Sequence, residues 1–322
     1  MPSPPAGRPA RTVADWLRWQ EALNPRLVDL GLDRVREVLA RMGLRPPAGR
    51  VVTVGGTNGK GSTITLIHDV LRAAGGNPGL YTSPHLIRYQ ERIRIGGEPV
   101  ADDRLIRGCE RVEAARAGVP LTYFEFGTLA AFACFAEAGC DTWLLEVGLG
   151  GRLDAVNALE ADLALVTTVG LDHQDWLGDT VEAIAAEKAG IYRGGRPAFY
   201  GDDPVPATLA AHARRIGAEL RLPGVDFVHA RSTDGTWTFT VLGPPRLHLA
   251  GLAAPGHWTA AQYRNASLAL AALADLGVPG GLRPASLNPV LLTSAPPGRF
   301  QRVQREHEWV LDVAHNPQAA AV

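Results

Sequence analysis

Apolar and polar residues follow two periods along this chain. Helical spacing of apolar positions predicts helices over Val13–Leu23 and Asp33–Met42. Four mostly β-branched residues, 51–54, then read as a buried strand, and the apolar-periodic run 64–71 as a helix. A short strand is expected at 79–82, helices at 104–117 and 126–138, and a buried strand at 142–147. Residues 161–168 form another apolar, β-rich run, 181–189 read as helix and 196–200 as strand. Strands that alternate with helices imply a parallel sheet covered on both faces. Ligands in such sheets bind beyond the carboxyl ends of the strands.

From about Leu220 the pattern changes. Short runs at 227–230, 237–241 and 246–249 predict a small antiparallel patch, and a strong helix follows at Ala260–Leu276. The stretch 292–298 reads as a linker. Beyond it, 300–303 and 309–313 read as a hairpin that opens another unit, and the last residues are apolar and helix-prone.

The segment between the first strand and its helix carries the sharpest chemistry. Gly55-Gly-Thr-Asn-Gly-Lys-Gly-Ser62 is a glycine-rich turn between a strand and a helix N-terminus. Free backbone N–H groups and the helix dipole there stabilise a phosphate. Lys60 would reach the β- and γ-phosphates, and the Ser62 hydroxyl would face Mg²⁺. Gly61 separates Lys60 from Ser62, which departs from the common P-loop spacing, and a glycine turn with a surface lysine is the alternative.

Other segments collect at strand ends. Glu146 follows an apolar run and precedes Val147-Gly-Leu-Gly-Gly151, where a carboxylate beside a P-loop strand suits Mg²⁺; a solvated glutamate is the alternative. Leu171-Asp-His-Gln-Asp-Trp-Leu177 gathers two carboxylates and an imidazole. His173 could hold a second ion with Asp172 or Asp175 orienting it, or be a structural histidine. Tyr81-Thr-Ser-Pro-His-Leu86 reads as a hydroxyl-rich turn before proline. Thr122-Tyr-Phe-Glu125 is either part of a capping box or an aromatic shelf for a flat ring. Lys188, on a helical run, reads by chemistry alone as a solvated charge.

Composition narrows the function classes. The chain has 322 residues, enough for one large or two modest domains, and 46% hydrophobic residues supply a sizeable core. A net charge of −1 offers no bulk field for nucleic acid or an acidic membrane, so neither is expected as a partner. No apolar run reaches membrane-spanning length. Residues 1–11, rich in proline and arginine, lack a signal-peptide core and are expected to be a frayed leader. Cys109, Cys134 and Cys140 have no metal spacing and are expected as free buried thiols in a reducing cytoplasm.

Six motifs in register carry a resemblance. They are Gly56-Thr-Asn-Gly-Lys-Gly-Ser62, Tyr81-Thr-Ser-Pro-His-Leu86, Glu146-Val-Gly-Leu-Gly-Gly-Arg-Leu-Asp154, Glu187-Lys-Ala-Gly-Ile191, Gly298-Arg-Phe-Gln301 and Leu311-Asp-Val-Ala-His-Asn-Pro317. Together the sequence resembles the folylpolyglutamate synthase family, a branch of the Mur ligases, in its bacterial bifunctional form. Position by position, the resemblance implies that Asn58, Gly59, Lys60, Gly61 and Ser62 hold ATP phosphates, and that Asn265, Arg299 and Asp312 contact the nucleotide. Ser83, Glu146 and His173 match magnesium ligands for two Mg²⁺ ions, and Lys188 matches a lysine that the family carries as a carbamate. Thr122, Tyr123, Phe124 and Glu125, with Leu153, Asp154 and Ala155, match positions that touch the pterin substrate; His315 lies in the C-terminal signature.

The resemblance therefore implies an α/β fold of the Mur ligase central type: a P-loop parallel sheet flanked by helices with a small antiparallel patch, spanning 1–296. Residues 297–322 would begin a second α/β domain. The implied reaction is ATP-dependent amide formation, in which L-glutamate joins dihydropteroate or the γ-carboxyl of a folate through an acyl phosphate. Lys60, Lys188 and His173 would be the catalytic groups of a monomeric cytoplasmic enzyme. The family continues well past the last signature, so a piece of a longer protein and a shortened, impaired ligase are both open. In either case Phe300, Val303, Trp309, Val310, Leu311 and Val313 are expected to expose apolar surface in a disordered or loosely docked segment. A Mur-type ligase acting on a cell-wall precursor and a non-catalytic nucleotide-binding module remain the alternatives.

Overall fold

The computed structural model describes residues 12–321 apart from positions 27, 48, 49 and 245. The leader expected at 1–11 lies outside the described residues. Eight strands form the central sheet: β1 (Val51–Gly55), β2 (Pro78–Tyr81), β3 (Ile93–Ile95), β4 (Glu98–Pro99), β5 (Thr142–Glu146), β6 (Leu163–Val166), β7 (Pro197–Tyr200) and β8 (Glu219–Arg221). Their order is β4-β3-β2-β5-β1-β6-β7-β8. From β2 to β8 every pairing is parallel, whereas β3 and β4 add antiparallel strands at one edge. The sheet is thus mostly parallel, as expected, with a two-stranded antiparallel edge that the sequence reading did not include. The edge hairpin has a legible cause: Gly96 and Gly97 both have positive φ, 64° and 91°, as a tight two-residue turn requires.

Eleven helices are described: α1 (Val13–Leu23), α2 (Asp33–Met42), α3 (Lys60–Ala73), α4 (Asp102–Arg116), α5 (Tyr123–Glu137), α6 (Gln174–Leu177), α7 (Val181–Ala189), α8 (Ala207–Ile216), α9 (Ala260–Leu276), α10 (Pro284–Thr293) and α11 (Pro317–Ala320). Side chains of β1 alternate between two cores. Val51 joins the core built with α1, α2, α4, α5, α7 and α8, while Val52 and Val54 join the one under α3, α9 and α10. Helix α5 is buried on nearly all sides, and Phe132 stacks on Trp143 at 5.6 Å between ring centroids. Gly79 in β2 makes room for Phe135, since a Cβ there would lie 2.4 Å from the ring. Each such buried aromatic contributes about 1.5–3 kcal/mol relative to exposure.

The antiparallel patch is present as β9 (Phe227–Arg231), β10 (Trp237–Val241) and β11 (Leu247–Leu252), and it caps the α9 face. The linker is shorter than expected, because α10 runs on to Thr293. The expected hairpin forms from β12 (Gln301–Gln304) and β13 (Glu308–Leu311), with Phe300, Trp309, Val310 and Leu311 each about half exposed. The chain then turns back: Val313 N donates to Gly298 O at 2.9 Å, and Asn316 reaches the β1–α3 loop.

Candidate functional site

The β1–α3 turn is shaped by glycines that no other residue could replace without displacement. Gly56 has φ 142°, and a Cβ there would sit 1.9 Å from Thr167 Oγ1. Gly59 caps α3 in the left-handed region (φ 86°), where a Cβ would lie 2.6 Å from Asn265 Oδ1. The end of β6 splints the loop. Asn58 N donates to Thr168 Oγ1 at 3.0 Å, and Thr167 Oγ1 donates to Asn58 O at 2.6 Å. Lys60, on the first turn of α3, donates from Nζ to Gly56 O at 2.9 Å and Thr57 O at 3.1 Å. Burial lowers its pKa, with the Glu146 carboxylate pulling the other way. Ser62 is half-buried one turn-position on, and a Cβ on Gly61 would be 3.8 Å from both Glu146 oxygens and 3.9 Å from Arg299 Nη2.

Register places the carboxylate. Glu146 pairs with Val54 at the carboxyl ends of β5 and β1. It is 4% exposed, and burial raises its pKa against the charge of Lys60. Its Oε2 accepts from Ser83 N at 3.2 Å, so Ser83 and Glu146 are adjacent. The following glycine loop is moulded by Asp154, whose Oδ2 accepts from Gly148 N and Leu149 N at 2.9 Å each and whose Oδ1 accepts from Val156 N at 3.0 Å. Burial pushes Asp154 up to about 6 in spite of these donors.

Helix α7 rests directly on this loop. A Cβ on Gly151 would lie 2.8 Å from Glu187 O and 3.1 Å from Lys188 Cα. Lys188 is 3% exposed, which corrects its reading as a solvated charge. Burial, reinforced by the charge of Lys60, lowers its pKa to about 7. Lys60, Lys188, Asp172, His173 and His315 share one cleft with the 148–150 loop. His173 has positive φ (51°) at the head of α6, and its ring is about half exposed. Asp172 turns to Asn316, whose Nδ2 donates to it at 3.1 Å, and Asp175 is exposed. Among the described residues no three His, Cys, Asp or Glu side chains converge on one point. Of the expected donors, Ser83 and Glu146 are adjacent at the ends of β2 and β5, and His173 shares a cleft with Lys60 and Lys188.

The 122–125 segment is the N-terminus of α5. Thr122 and Glu125 complete a capping box, so their side chains are engaged with backbone: Glu125 N donates to Thr122 Oγ1 and Thr122 N to Glu125 Oε2. Tyr123 meets the Tyr89 ring edge-on at 5.9 Å, and Phe124 lies 5.9 Å from the Tyr81 ring. Phe124 also covers the glycine loop, since a Cβ on Gly148 would be 2.7 Å from its Cζ. Leu153 is half-buried, and Asp154 and Ala155 are buried. Asn265 and Arg299 come to the P-loop. Asp312 is exposed and accepts from Phe300 N and Ala314 N at 2.8 and 2.7 Å, which fixes the turn of its own segment. Sequence reasoning missed the splint from Thr167 and Thr168, although two threonines just after an apolar run were a signal. It also missed the amide clasp between Asn58 and Asn316, in which Asn58 Nδ2 donates to Asn316 Oδ1 at 3.2 Å and Asn316 Nδ2 returns a bond at 3.0 Å.

A glycine-rich β1–α3 turn beside a strand-end carboxylate, with a buried lysine in the cleft of Lys60 and the 148–150 loop, suits a nucleotide-dependent ligase of the Mur type. The family model for the Mur ligase middle domain matches residues 54–226. The chain is 42% identical over 311 residues to dihydrofolate synthase/folylpolyglutamate synthase of Escherichia coli K12, covering 97% of this chain and 71% of the relative. The Haemophilus influenzae protein of the same name is 36% identical, with 96% and 72% covered. Among solved structures, E. coli FolC in complex with DHPP and ADP has a TM-score of 0.88 at 42% identity, covering 97% of this chain and 73% of that one. The bifunctional enzyme of Yersinia pestis complexed with AMPPNP and Mn ion also has a TM-score of 0.88, at 40% identity, with 99% and 74% covered. The chain belongs to the folylpolyglutamate synthase family of Mur ligases.

Proposed function

We propose that the chain is an ATP-dependent amide ligase that joins L-glutamate to dihydropteroate, giving dihydrofolate, and to the γ-carboxyl of folates. The observation that carries this is the single cleft in which Lys60, Lys188 and His173 meet the 148–150 glycine loop, with Phe124 closing on Gly148. Ligand identities in the relatives support it: DHPP with ADP in the E. coli enzyme, and Mn, AMPPNP and L-glutamate in a bifunctional synthase 40% identical to this chain. Residues 1–296 would form the ATP-binding unit and 297–322 open a second one. The proposal includes a monomeric, cytoplasmic state; among the described residues no helix is long and apolar enough to cross a membrane.

In this reading Asn58, Gly59, Lys60, Gly61 and Ser62 cradle the phosphates at the α3 N-terminus, and Asn265 and Arg299 flank them. Asp312 acts less directly, by fixing the turn that follows Arg299. Tyr123 and Phe124 form the wall for the pterin ring, and Leu153, Asp154 and Ala155 its floor. A substrate carboxylate oxygen attacks the γ-phosphorus, the bond to the β-γ bridging oxygen breaks, and ADP leaves. The neutral amine of glutamate then attacks the acyl carbon, the bond to phosphate breaks, and the nitrogen gives up one proton as inorganic phosphate leaves and the amide forms. The protein's part is to hold two anions together and neutralise their repulsion.

The donor chemistry fits the divalent cation that such a site requires. Glu146 is a buried carboxylate whose one hydrogen bond among the described residues comes from Ser83 N. Ser83, Glu146, His173 and a carbamate on Lys188 would hold two Mg²⁺ ions, which neutralise phosphate charge when bound. Burial supports the carbamate: it lowers the Lys188 pKa to about 7, which favours the neutral amine that adds to CO₂ with loss of one proton. A steady-state assay with ATP, dihydropteroate and L-glutamate tests the proposal. ADP release should require both co-substrates and yield dihydrofolate; turnover indifferent to dihydropteroate would overturn it.

A further inference from the structure

We infer that Arg34 is a positioning residue for the acceptor substrate, acting through Glu125 on the aromatic wall at Tyr123 and Phe124. The inference rests on the ligase reading above. Arg34 stands on the first turn of α2, 91 positions before Glu125, and is not part of any motif in the sequence. Its guanidinium nonetheless forks onto that carboxylate. Nε lies 3.2 and 3.3 Å from the two Glu125 oxygens, and Nη2 lies 3.0 Å from Oε1. Its other edge binds the segment before α2, with Nη1 2.9 Å from the Asp29 carboxylate and Nη2 donating to Asp29 O. One planar cation thus joins the 24–32 segment to the start of α5. Asn24 Nδ2, donating to Pro120 O at 3.0 Å, fastens the same two segments a second time.

Glu125 is the element that transmits this. Its side chain is 5% exposed, and Arg34 is the cation paired with it there. The same carboxylate accepts from Thr122 N at 2.7 Å and thereby fixes where α5 begins. The two residues between cap and carboxylate are Tyr123 and Phe124, whose rings face Tyr89, Tyr81 and the glycine loop. A rotation of this first turn would move both rings, whereas the P-loop is held separately by Thr167 and Thr168 at the end of β6. Lysine could keep the charge, but it cannot reproduce a planar fork that binds two carboxylates and a carbonyl together.

The test compares wild type with Arg34→Lys and Arg34→Gln by two readouts. Amide hydrogen exchange reports the cap directly: Thr122 N–H should exchange at least about tenfold faster in Arg34→Gln, with Arg34→Lys intermediate and exchange in β1 and α3 unchanged. In the ligation assay KM for dihydropteroate should rise about tenfold to a hundredfold, with KM for ATP unchanged. A purely structural role would instead lower the active fraction, reducing kcat while leaving both KM values alone. Unchanged Thr122 exchange, or KM values for ATP and dihydropteroate that move together, overturns the inference. If wild type itself shows no dihydropteroate-dependent turnover but Thr122 exchange rises as stated, the ligase reading fails while the control of this turn by Arg34 stands.

Discussion

Replacing Lys60 by alanine should remove catalysis while sparing the fold, and the structure supplies both magnitudes. The ammonium group makes two hydrogen bonds to loop carbonyls, at 2.9 and 3.1 Å. Bonds from a charged donor stabilise by about 1.5–3 kcal/mol each. Against that stands the desolvation of a buried ammonium, several kcal/mol per ion. These terms oppose, so Lys60→Ala should shift Tm by no more than about 5 °C. The transferring phosphoryl group has no such offset. A cation aimed at its developing charge is worth about a thousandfold or more in rate, roughly 4 kcal/mol. A second effect follows from Glu146, whose pKa burial already raises and which loses its main opposing charge in the variant. Its carboxylate then protonates at still higher pH, so any residual activity should move toward alkaline pH. Stopped-time measurement of ADP and dihydrofolate, beside a thermal melt, checks all three. A variant within tenfold of wild-type rate, or one that loses its cooperative melt, refutes the reasoning.

Three further outcomes are expected. Glu146→Gln keeps shape but removes charge, so the Mg²⁺ concentration giving half-maximal activity should rise at least about tenfold; superimposable titrations would remove Glu146 from the metal shell. Lys188, with its folded pKa lowered to about 7 from 10.5, binds its proton less readily than in the unfolded chain. Stability of the CO₂-depleted protein should therefore climb as pH rises from about 7 to 10.5, and Lys188→Met should flatten that slope, gain a few kcal/mol near pH 7 and lose activity; parallel pH–stability curves would contradict this. Asp154→Asn should lower stability by about 1–3 kcal/mol, because an amide NH₂ must face either the Gly148 and Leu149 N–H groups or that of Val156; an unchanged denaturant midpoint would show that the loop does not depend on this carboxylate.

Local physics explains what was legible in the sequence. Helices α1, α2, α7 and α9 begin and end where apolar periodicity and caps place them, with Thr12, Thr180 and Thr259 as side-chain caps for three of them. The P-loop was legible because strand, glycines and helix are contiguous. The β3–β4 edge was not read, although Gly96-Gly97 after an alternating Ile-Arg-Ile is a hairpin signal. The state of Lys188 was invisible in its own helix, because its burial comes from a glycine loop some forty positions earlier, whose Gly151 lets the backbones touch. Arg34 escaped for the same reason, since its partner is 91 positions away. What depended on contacts distant in sequence stayed hidden unless a motif marked it.

The amide clasp between Asn58 and Asn316 has a consequence for how the protein is made. It spans 258 positions, so a ribosome delivers the β1–α3 loop long before the residue that fastens it. Every strand of the central sheet lies within the first 221 residues and can condense while the rest is still being synthesised. Closing so long a loop in an open chain would cost on the order of 5 kcal/mol in entropy. Once the sheet and α10 have formed, only the short path through the β12–β13 hairpin remains to be closed. Assembly is therefore ordered in time: the scaffold comes first, and the β1–α3 loop reaches its final form last.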